Sequence, residues 1–302
     1  MGSVKYKSVI VIFIIFILVY SYYLLFDYQN QGSRWVESFG KTKAVMSQSE
    51  NFSAVLLGGS NLAYSLSASQ LSQETKLEWF NFGLPSEGYT DKNYWRYIKE
   101  TIKPEKRDKI RVVVYSTLAL YRSGYLKLRN EENRNIWGNK PLGKVPDTAL
   151  AVRMRSYIKL SASYENESYP LPTDYGDFNF EFKKCNPDYK ASFDREQDFG
   201  IIEDWLHSQI NEMRGLFPNA RLTIVMPSEY YGNYYNANMA SLHNSQFIEL
   251  TKKYYSDGIN SLIQKPFSSK SLTCDAIHHA SNKGRHIRTS ELTKLINSYP
   301  NF

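Results

Sequence analysis

Val55-Leu56-Leu57-Gly58-Gly59-Ser60-Asn61 is the stretch of sequence that decides the fold. Its apolar residues predict a buried strand, and its two glycines permit a tight turn from the strand into the helical pattern that follows. A strand that passes directly into a helix is typical of α/β proteins, in which the residues after the strands gather at one edge of the sheet and bind ligands there. Ser60 lies at such a position. We interpret it as a candidate nucleophile, with a helix-capping serine as the alternative.

Apolar runs and helical patterns alternate along the rest of the chain. Strands are predicted at residues 53–57, 77–82, 110–115, 222–226 and 259–262, and helices at residues 61–74, 90–102, 194–217, 240–255 and 281–296. Strands that alternate with helices form a parallel sheet covered on both faces, so we predict a three-layer α/β/α sandwich. Residues 117–190 interrupt the alternation and are rich in Tyr, Asn, Gly and Pro. We interpret them as an insertion that covers the site or binds substrate.

The amino terminus predicts a membrane anchor. Residues 9–26 contain no charge, Gly or Pro, and eighteen helical residues span about 27 Å, close to the thickness of a bilayer's hydrocarbon core. Lys5 and Lys7 precede this run, which keeps the amino terminus in the cytoplasm. A buried core helix is the alternative. We expect a cytoplasmic tail at 1–8, an inner-membrane anchor at 9–26, a connector at 27–50 and an extracytoplasmic, periplasmic domain at 51–302.

Composition limits the partners of this outer domain. With 302 residues and 42% hydrophobic content, the chain can bury a sizeable core. Its net charge of +7 is not gathered into a basic run with interleaved aromatic residues, so no nucleic-acid partner is expected. The chain has two cysteines, Cys185 and Cys274. They either form a disulfide in an oxidising compartment or remain two buried thiols.

A second informative stretch, Asp275-Ala276-Ile277-His278-His279, lies on a predicted loop before the last helix. A serine hydroxyl attacks an ester when an imidazole takes its proton and a carboxylate orients that imidazole. The spacing of Asp275 and His278 lets the carboxylate reach one ring nitrogen. We therefore predict Ser60, His278 and Asp275 as the catalytic group, with His279 as a rival base. A metal site on this stretch is the less favoured alternative, and neither a metal nor another cofactor is expected.

Loops after the other strands supply candidate binding groups. Glycines in the loop at residues 81–88 allow backbone amides to face the site, although an Asx turn at Asn81 explains its composition equally well. Ser116 and Thr117 follow the third predicted strand. The fourth strand is followed by a tyrosine-rich loop that suits either stacking against a sugar chain or packing within the protein. Its candidate substrate-binding residues are Tyr230, Tyr231, Tyr234 and Tyr235.

These motifs resemble those of the SGNH/GDSL hydrolase superfamily, in particular its membrane-anchored, polysaccharide-modifying branch. Leu57-Gly58-Gly59-Ser60-Asn61 is similar to the first family block, with Ser60 as the nucleophile. Asn81-Phe82-Gly83-Leu84-Pro85-Ser86 is similar to the second, and Asp275-Ala276-Ile277-His278 to the last. The resemblance covers residues 53–297. It implies an SGNH-like α/β/α fold that follows a single amino-terminal transmembrane helix.

The resemblance also implies an activity and an oxyanion hole. The implied activity is O-acetyl transfer to an extracytoplasmic polysaccharide, or acetyl-ester hydrolysis on it, through an acyl-Ser60 intermediate. Other polysaccharide-biosynthesis membrane proteins would supply the acyl donor. Candidates for the oxyanion hole are Ser60, Ser86, Gly88, Ser116 and Thr117.

The chain departs from the family pattern at two places. Gly59 replaces the usual Asp of the first block, and the third block, which begins at Ser116, lacks its asparagine. Ser116 or Thr117 is the candidate replacement. Losing one donor from an oxyanion hole typically costs about 10²–10³ in rate. A catalytically degenerate carbohydrate-binding or assembly protein is therefore one alternative function. A lipid esterase or thioesterase, which the predicted membrane anchor permits, is the other.

Overall fold

A parallel sheet forms the centre of the fold. The computed structural model describes residues 35–84, 92–120, 172–179, 199–230, 237–254, 258–274, 276 and 278–300. Within these ranges the strands are β1 (Ala54–Gly58), β2 (Trp79–Asn81), β3 (Val112–Ser116), β4 (Arg221–Met226) and β5 (Ile259–Ile263). Their order in the sheet is β2-β1-β3-β4-β5, and every neighbouring pair is parallel. Apolar and β-branched residues fill these strands because both faces of the sheet are covered.

Helices pack on both faces of this sheet. They are α1 (Trp35–Ser49), α2 (Ser60–Ser65), α3 (Ala68–Glu74), α4 (Lys92–Thr101), α5 (Pro104–Arg107), α6 (Phe199–Leu216), α7 (Ala237–Lys252) and α8 (Asn282–Asn297). On one face, α2, α3 and α8 share a buried core with Leu56 and Val114. On the other, the Tyr115 ring lies 6.1 Å from that of Trp95 on α4 and 6.4 Å from that of Trp205 on α6. The predicted α/β sandwich with a parallel central sheet is confirmed.

The helix predicted at residues 61–74 is in fact two helices. Leu66 and Ser67 adopt extended backbone angles between α2 and α3. The Ser67 hydroxyl then caps α3 by accepting a hydrogen bond from the Gln70 N–H. A serine side chain that can bond to nearby backbone groups favours such a cap over a helix interior.

The predicted membrane anchor at residues 9–26 lies outside the described residues. Among the helices that the structure does describe, none has the length and apolar character needed to cross a bilayer. Residues from Phe39 onward, which include most of α1, belong to the same compact unit as the sheet. Of the predicted insertion at 117–190, residues 117–120 and 172–179 are described. The second piece forms a tight turn closed by a β-bridge between Pro172 and Phe178.

The strand order places the topological switch point of the sheet at the carboxyl ends of β1 and β3. The chain leaves β1 to form β2 on one side, and then returns to form β3 on the other side. At such a reversal the two connections depart in opposite directions, and α/β proteins bind ligands in the crevice between them. Gly58 and Ser116 are directly opposite each other in the β1–β3 register. Ser60, two residues beyond Gly58, therefore lies at this switch point.

Candidate active site

The turn that presents Ser60 requires glycine at one of its two positions. Gly58 has a φ of +146°, and a Cβ on it would lie 1.8 Å from the Ser116 carbonyl oxygen. Gly59 has φ −87° and ψ −166°, which other residues adopt readily, and it is the N-cap residue of α2. The backbone at position 59 would therefore also accept the Asp that is usual in the resembling family block. Ser60 is the first residue of α2 and is 8% exposed.

A buried tyrosine fixes this turn to the neighbouring loop. The Tyr94 hydroxyl accepts a hydrogen bond from the Gly58 N–H at 2.9 Å and donates one to the Phe82 carbonyl at 3.3 Å. Burial raises the pKa of Tyr94 well above its ordinary value, so the proton needed for the second bond is retained. The sequence offered no sign of this role, because Tyr94 is one of 24 tyrosines in the chain.

The first half of the loop at residues 81–88 does not supply oxyanion donors. Its four described N–H groups are all used within the protein: Asn81 to the Tyr175 carbonyl at 2.9 Å, Phe82 to the Leu56 carbonyl at 2.8 Å, Gly83 to Asn81 Oδ1 at 2.9 Å and Leu84 to the Gly58 carbonyl at 3.1 Å. The bond between Gly83 and the Asn81 side chain is the Asx turn that was the alternative interpretation. Any amide donor from this loop must therefore come from later residues. Ser86 and Gly88 lie outside the described residues.

Close packing presses this loop against α2. A Cβ on Gly83 would lie 2.7 Å from Leu62 Cδ2 and 3.0 Å from the Ala63 nitrogen, so a larger residue would push the loop away from the helix. The Lys43 ammonium also holds the loop, since it donates a hydrogen bond to the Gly83 carbonyl at 2.6 Å. Lys43 is fully buried. Burial lowers the pKa of its ammonium to about 7, against the opposing effect of the Asp177 carboxylate.

Asp177 joins the described part of the insertion to the start of α3. Its carboxylate accepts four hydrogen bonds: from the Ser67 hydroxyl at 2.8 Å, the Ala68 N–H at 2.7 Å, the Ser69 N–H at 2.9 Å and Asn81 Nδ2 at 3.1 Å. A negative charge at a helix amino terminus is stabilised by the free N–H groups there. The sequence prediction missed both Lys43 and Asp177. Lys43 lies in the segment predicted as a connector and Asp177 in the predicted insertion, and their partners are far away in the chain.

Of the two third-block candidates, Ser116 is the one beside the nucleophile turn. Its hydroxyl oxygen accepts a hydrogen bond from Asn61 Nδ2 at 2.8 Å, and its carbonyl accepts one from the Gly59 N–H at 3.2 Å. The Thr117 hydroxyl instead lies 3.5 Å from the Ala119 nitrogen, in the short helical turn that follows. Asn61 was not among the predicted site residues, although it directly follows Ser60.

The histidine pair lies beside the helix that begins with Ser60. The His279 ring stacks on the Tyr64 ring with centroids 4.1 Å apart and planes 8° apart. The His278 ring meets the His279 ring edge-on at 4.4 Å. Because residues four apart share a face of a helix, Tyr64 and Ser60 lie on the same side of α2. The structure thus places the His279 ring against the helix that begins with Ser60, whereas Asp275 lies outside the described residues.

The loop that carries the histidines is held by backbone bonds on both sides. The Cys274 N–H donates to the His279 carbonyl at 2.7 Å, and the His279 N–H donates to the Ala276 carbonyl at 3.1 Å. Thr273 and Ala280 form an antiparallel bridge at the base of the loop. Cys274 is fully buried and takes part in a disulfide. Cys185 lies outside the described residues, so the pairing of these two cysteines stays a prediction.

Of the four candidate substrate tyrosines, Tyr230 is described. It is half-buried and packs against Phe267, Leu272 and Ala280. That environment matches the interpretation of the loop as packed within the protein. Tyr231, Tyr234 and Tyr235 lie outside the described residues, and their role in binding substrate stays a prediction.

Comparison with known proteins gives little further information. No family model and no curated protein matches the chain. Among solved structures, the chain is similar to an acetyl xylan esterase from the rumen bacterium Butyrivibrio proteoclasticus, with 7% sequence identity and a TM-score of 0.38. The similarity covers 81% of this chain and 62% of that one, so the chain spans about three fifths of the esterase's length. At this TM-score the backbones differ too much for the activity of one protein to be assigned to the other.

Proposed function

We propose that this protein is a serine-dependent acyl-ester enzyme of the SGNH type, with Ser60 as its nucleophile. The observation that carries the proposal is the position of Ser60. It is presented by a glycine turn at the topological switch point, on the same helix as the tyrosine that stacks on the histidine pair. Gly59 is the N-cap residue of this helix and Ser60 is its first residue, so Ser60 does not have the capping role that was the alternative interpretation.

The proposed reaction has two halves. His278 takes the proton of the Ser60 hydroxyl as its oxygen attacks the acyl carbonyl, and Asp275 holds the imidazole in orientation. The tetrahedral intermediate then collapses, the alcohol leaves with the proton from His278, and an acyl-Ser60 ester remains. In the second half, water or a sugar hydroxyl loses its proton to His278 and takes the acyl group. We favour His278 over His279 as the base because His278 has the Asp-x-x-His spacing from Asp275.

The developing oxyanion requires hydrogen-bond donors. The Ser60 N–H is one candidate, since no acceptor for it is found in the part of the chain that the structure describes. The first N–H groups of a helix have no acceptor within that helix and stabilise negative charge. The Ser116 hydroxyl is a second candidate. The amides of Ser86 and Gly88 complete the proposed oxyanion hole.

The proposed substrate is an O-acetyl ester on an extracytoplasmic polysaccharide. This part of the proposal is supported by the resemblance of the motifs, by the predicted anchor at residues 9–26 and by the tyrosine-rich loop after β4. A sugar hydroxyl as acceptor makes the protein an acetyltransferase, whereas water makes it an esterase. In the first case a membrane partner of the same biosynthetic system supplies the acetyl group.

The test uses the full-length protein in detergent with 4-nitrophenyl acetate as acyl donor. We expect Ser60→Ala to reduce turnover to the uncatalysed background. Ser65→Ala, which removes a similarly buried serine from the other end of α2, should retain activity. Mass spectrometry of rapidly quenched wild-type protein should find acetyl on the peptide that contains Ser60.

The same experiment separates the alternatives. Equal background rates for the wild type and Ser60→Ala would contradict the proposal and favour a carbohydrate-binding protein that retains the fold. A strong preference for long-chain over acetyl esters would indicate a lipid esterase or thioesterase. Adding an oligosaccharide and finding acetylated sugar rather than free acetate would identify the transferase.

A further inference from the structure

Asn61 and Ser116 form a buried side-chain pair next to the proposed nucleophile. Asn61 is the second residue of α2 and is 3% exposed, and Ser116 ends β3 and is 2% exposed. Asn61 Nδ2 lies 2.8 Å from Ser116 Oγ. The Ser116 carbonyl also accepts from the Gly59 N–H, so the pair is attached to the turn that presents Ser60. The two side chains thus join the carboxyl ends of β1 and β3 across the switch point.

The pair has unused hydrogen-bonding capacity. An amide carries two N–H donors and a hydroxyl carries one O–H donor, and the bond between them uses one of these hydrogens. Within the described residues, nothing accepts a hydrogen bond from the Ser116 hydroxyl, and the buried Asn61 Oδ1 has no partner. A buried polar atom without a hydrogen-bond partner destabilises the folded state. The unused Ser116 O–H is a donor and can bind a negatively charged group, whereas Asn61 Oδ1 is an acceptor and cannot.

We propose that Asn61 orients the Ser116 hydroxyl as the side-chain donor of the oxyanion hole, in place of the absent third-block asparagine. The inference rests on the proposed function and assigns a positioning residue to the same site. A serine hydroxyl rotates freely unless a partner fixes it. Because Asn61 donates to a lone pair of Ser116 Oγ, the hydroxyl proton must point to another acceptor. An acyl oxyanion formed on the neighbouring Ser60 would provide that acceptor.

The experiment is a double-mutant cycle on the full-length protein. We expect Ser116→Ala to lower kcat for 4-nitrophenyl acetate by about 10²–10³, with KM little changed, because the lost bond forms in the transition state. Asn61→Leu keeps the side-chain volume but leaves the hydroxyl free to rotate, so kcat should fall by about tenfold. The double variant should be no slower than Ser116→Ala, since Asn61 acts through Ser116.

Two further measurements distinguish positioning from a structural role. A boronic acid that forms a tetrahedral adduct on serine should lose affinity in parallel with kcat, while thermal melts of the variants stay close to that of Ser65→Ala. If Asn61→Leu does not fold, Asn61→Asp keeps the shape. Its carboxylate accepts the Ser116 proton instead of donating, so its kcat should fall as far as that of Ser116→Ala.

The measurements distinguish failure of this inference from failure of the proposed function. If the wild type is no faster than Ser60→Ala, the proposed function and this inference fail together. If turnover depends on Ser60 but Asn61→Leu keeps the wild-type kcat, this inference alone is wrong. A double variant slowed by the product of the two single effects would also overturn it, because Asn61 would then act independently of Ser116.

Discussion

The Lys43 amino group is fully buried, so its contribution to the free energy of unfolding should depend on pH. The pKa of this group is 10.5 in the unfolded chain and about 7 in the folded protein. Between those values the unfolded chain binds more protons, so the free energy of unfolding rises with pH from about 7 upward. Below pH 7 both states are protonated and the cost of burying the charge stays constant.

Lys43→Met should remove this pH dependence. We expect the stability advantage of the wild type over the variant to grow between pH 7 and pH 9, measured by urea unfolding. A constant offset from the unpaired Gly83 carbonyl should add to it at every pH. Lys294→Met, which removes an exposed lysine from α8, is the control and should leave the pH profile of the wild type unchanged. Parallel profiles for the wild type and Lys43→Met would contradict the prediction.

Gly58 should tolerate no side chain. Gly58→Ala combines a positive φ with a Cβ 1.8 Å from a backbone oxygen, so we expect a loss of more than about 2 kcal/mol in unfolding free energy. Esterase activity should fall with it because the turn presents Ser60. Gly215→Ala is the matched control. A Cβ there meets nothing within 4 Å, and alanine in a helix stabilises by about 0.5–1 kcal/mol. Equal melting temperatures for the two variants would refute the steric argument.

At the scale of single residues, the sequence predicted groups that belong to short motifs and missed those defined by distant contacts. The position of Ser60 after a strand and a glycine turn could be predicted because the strand, the turn and the helix are contiguous. Lys43, Tyr94 and Asn61 could not, because their hydrogen-bond partners lie 40, 36 and 55 residues away. A buried polar residue is recognisable only once its partner is known, and a single sequence does not contain that pairing.

At the scale of elements, the described part of the insertion is bonded to the start of α3 and should stabilise it. The turn at residues 172–179 is held there by the four hydrogen bonds that the Asp177 carboxylate accepts. Asp177→Asn keeps the shape but turns an amide N–H₂ toward groups that donate, so we expect a loss of about 2–4 kcal/mol in unfolding free energy. Asp174→Asn, on the exposed side of the same turn, should change stability by less than about 0.5 kcal/mol. Similar denaturation midpoints for the two variants would show that the hydrogen bonds of Asp177 do not stabilise the protein.

Element prediction succeeded for the strands and failed for the helix at residues 61–74. Strand prediction succeeded in β1, β3 and β4 because most of their residues are apolar or β-branched and buried, which is visible in any short window of sequence. The helix predicted at 61–74 failed at Ser67. The chain is broken there by a cap whose carboxylate, Asp177, comes from 110 residues away. Periodicity reports which residues are buried, but not which distant group interrupts a helix.

At the scale of the whole molecule, the fold class followed from the alternation of strands and helices. The strand order did not, because it depends on the side of β1 to which the chain returns. That order is what brings Ser60 and Ser116 together at the switch point. The catalytic group as a whole remains a prediction, since Asp275 lies outside the described residues. Its test is chemical, through the acyl ester on Ser60.

We expect a disulfide bond between the insertion and the loop that carries the histidines. Cys274 is disulfide-bonded and directly precedes Asp275, and the sequence contains one other cysteine, Cys185, in the same insertion as residues 172–179. We predict that peptide mapping without reductant will find these two cysteines linked. Cys185→Ser, Cys274→Ser and the double variant should then lose the same stability, about 2–5 kcal/mol. Each should lower kcat equally, because each frees the loop that carries His278. Unequal losses among the three, or thiol labelling of the native wild type, would contradict the pairing, whereas wild type treated with reductant should behave like the variants.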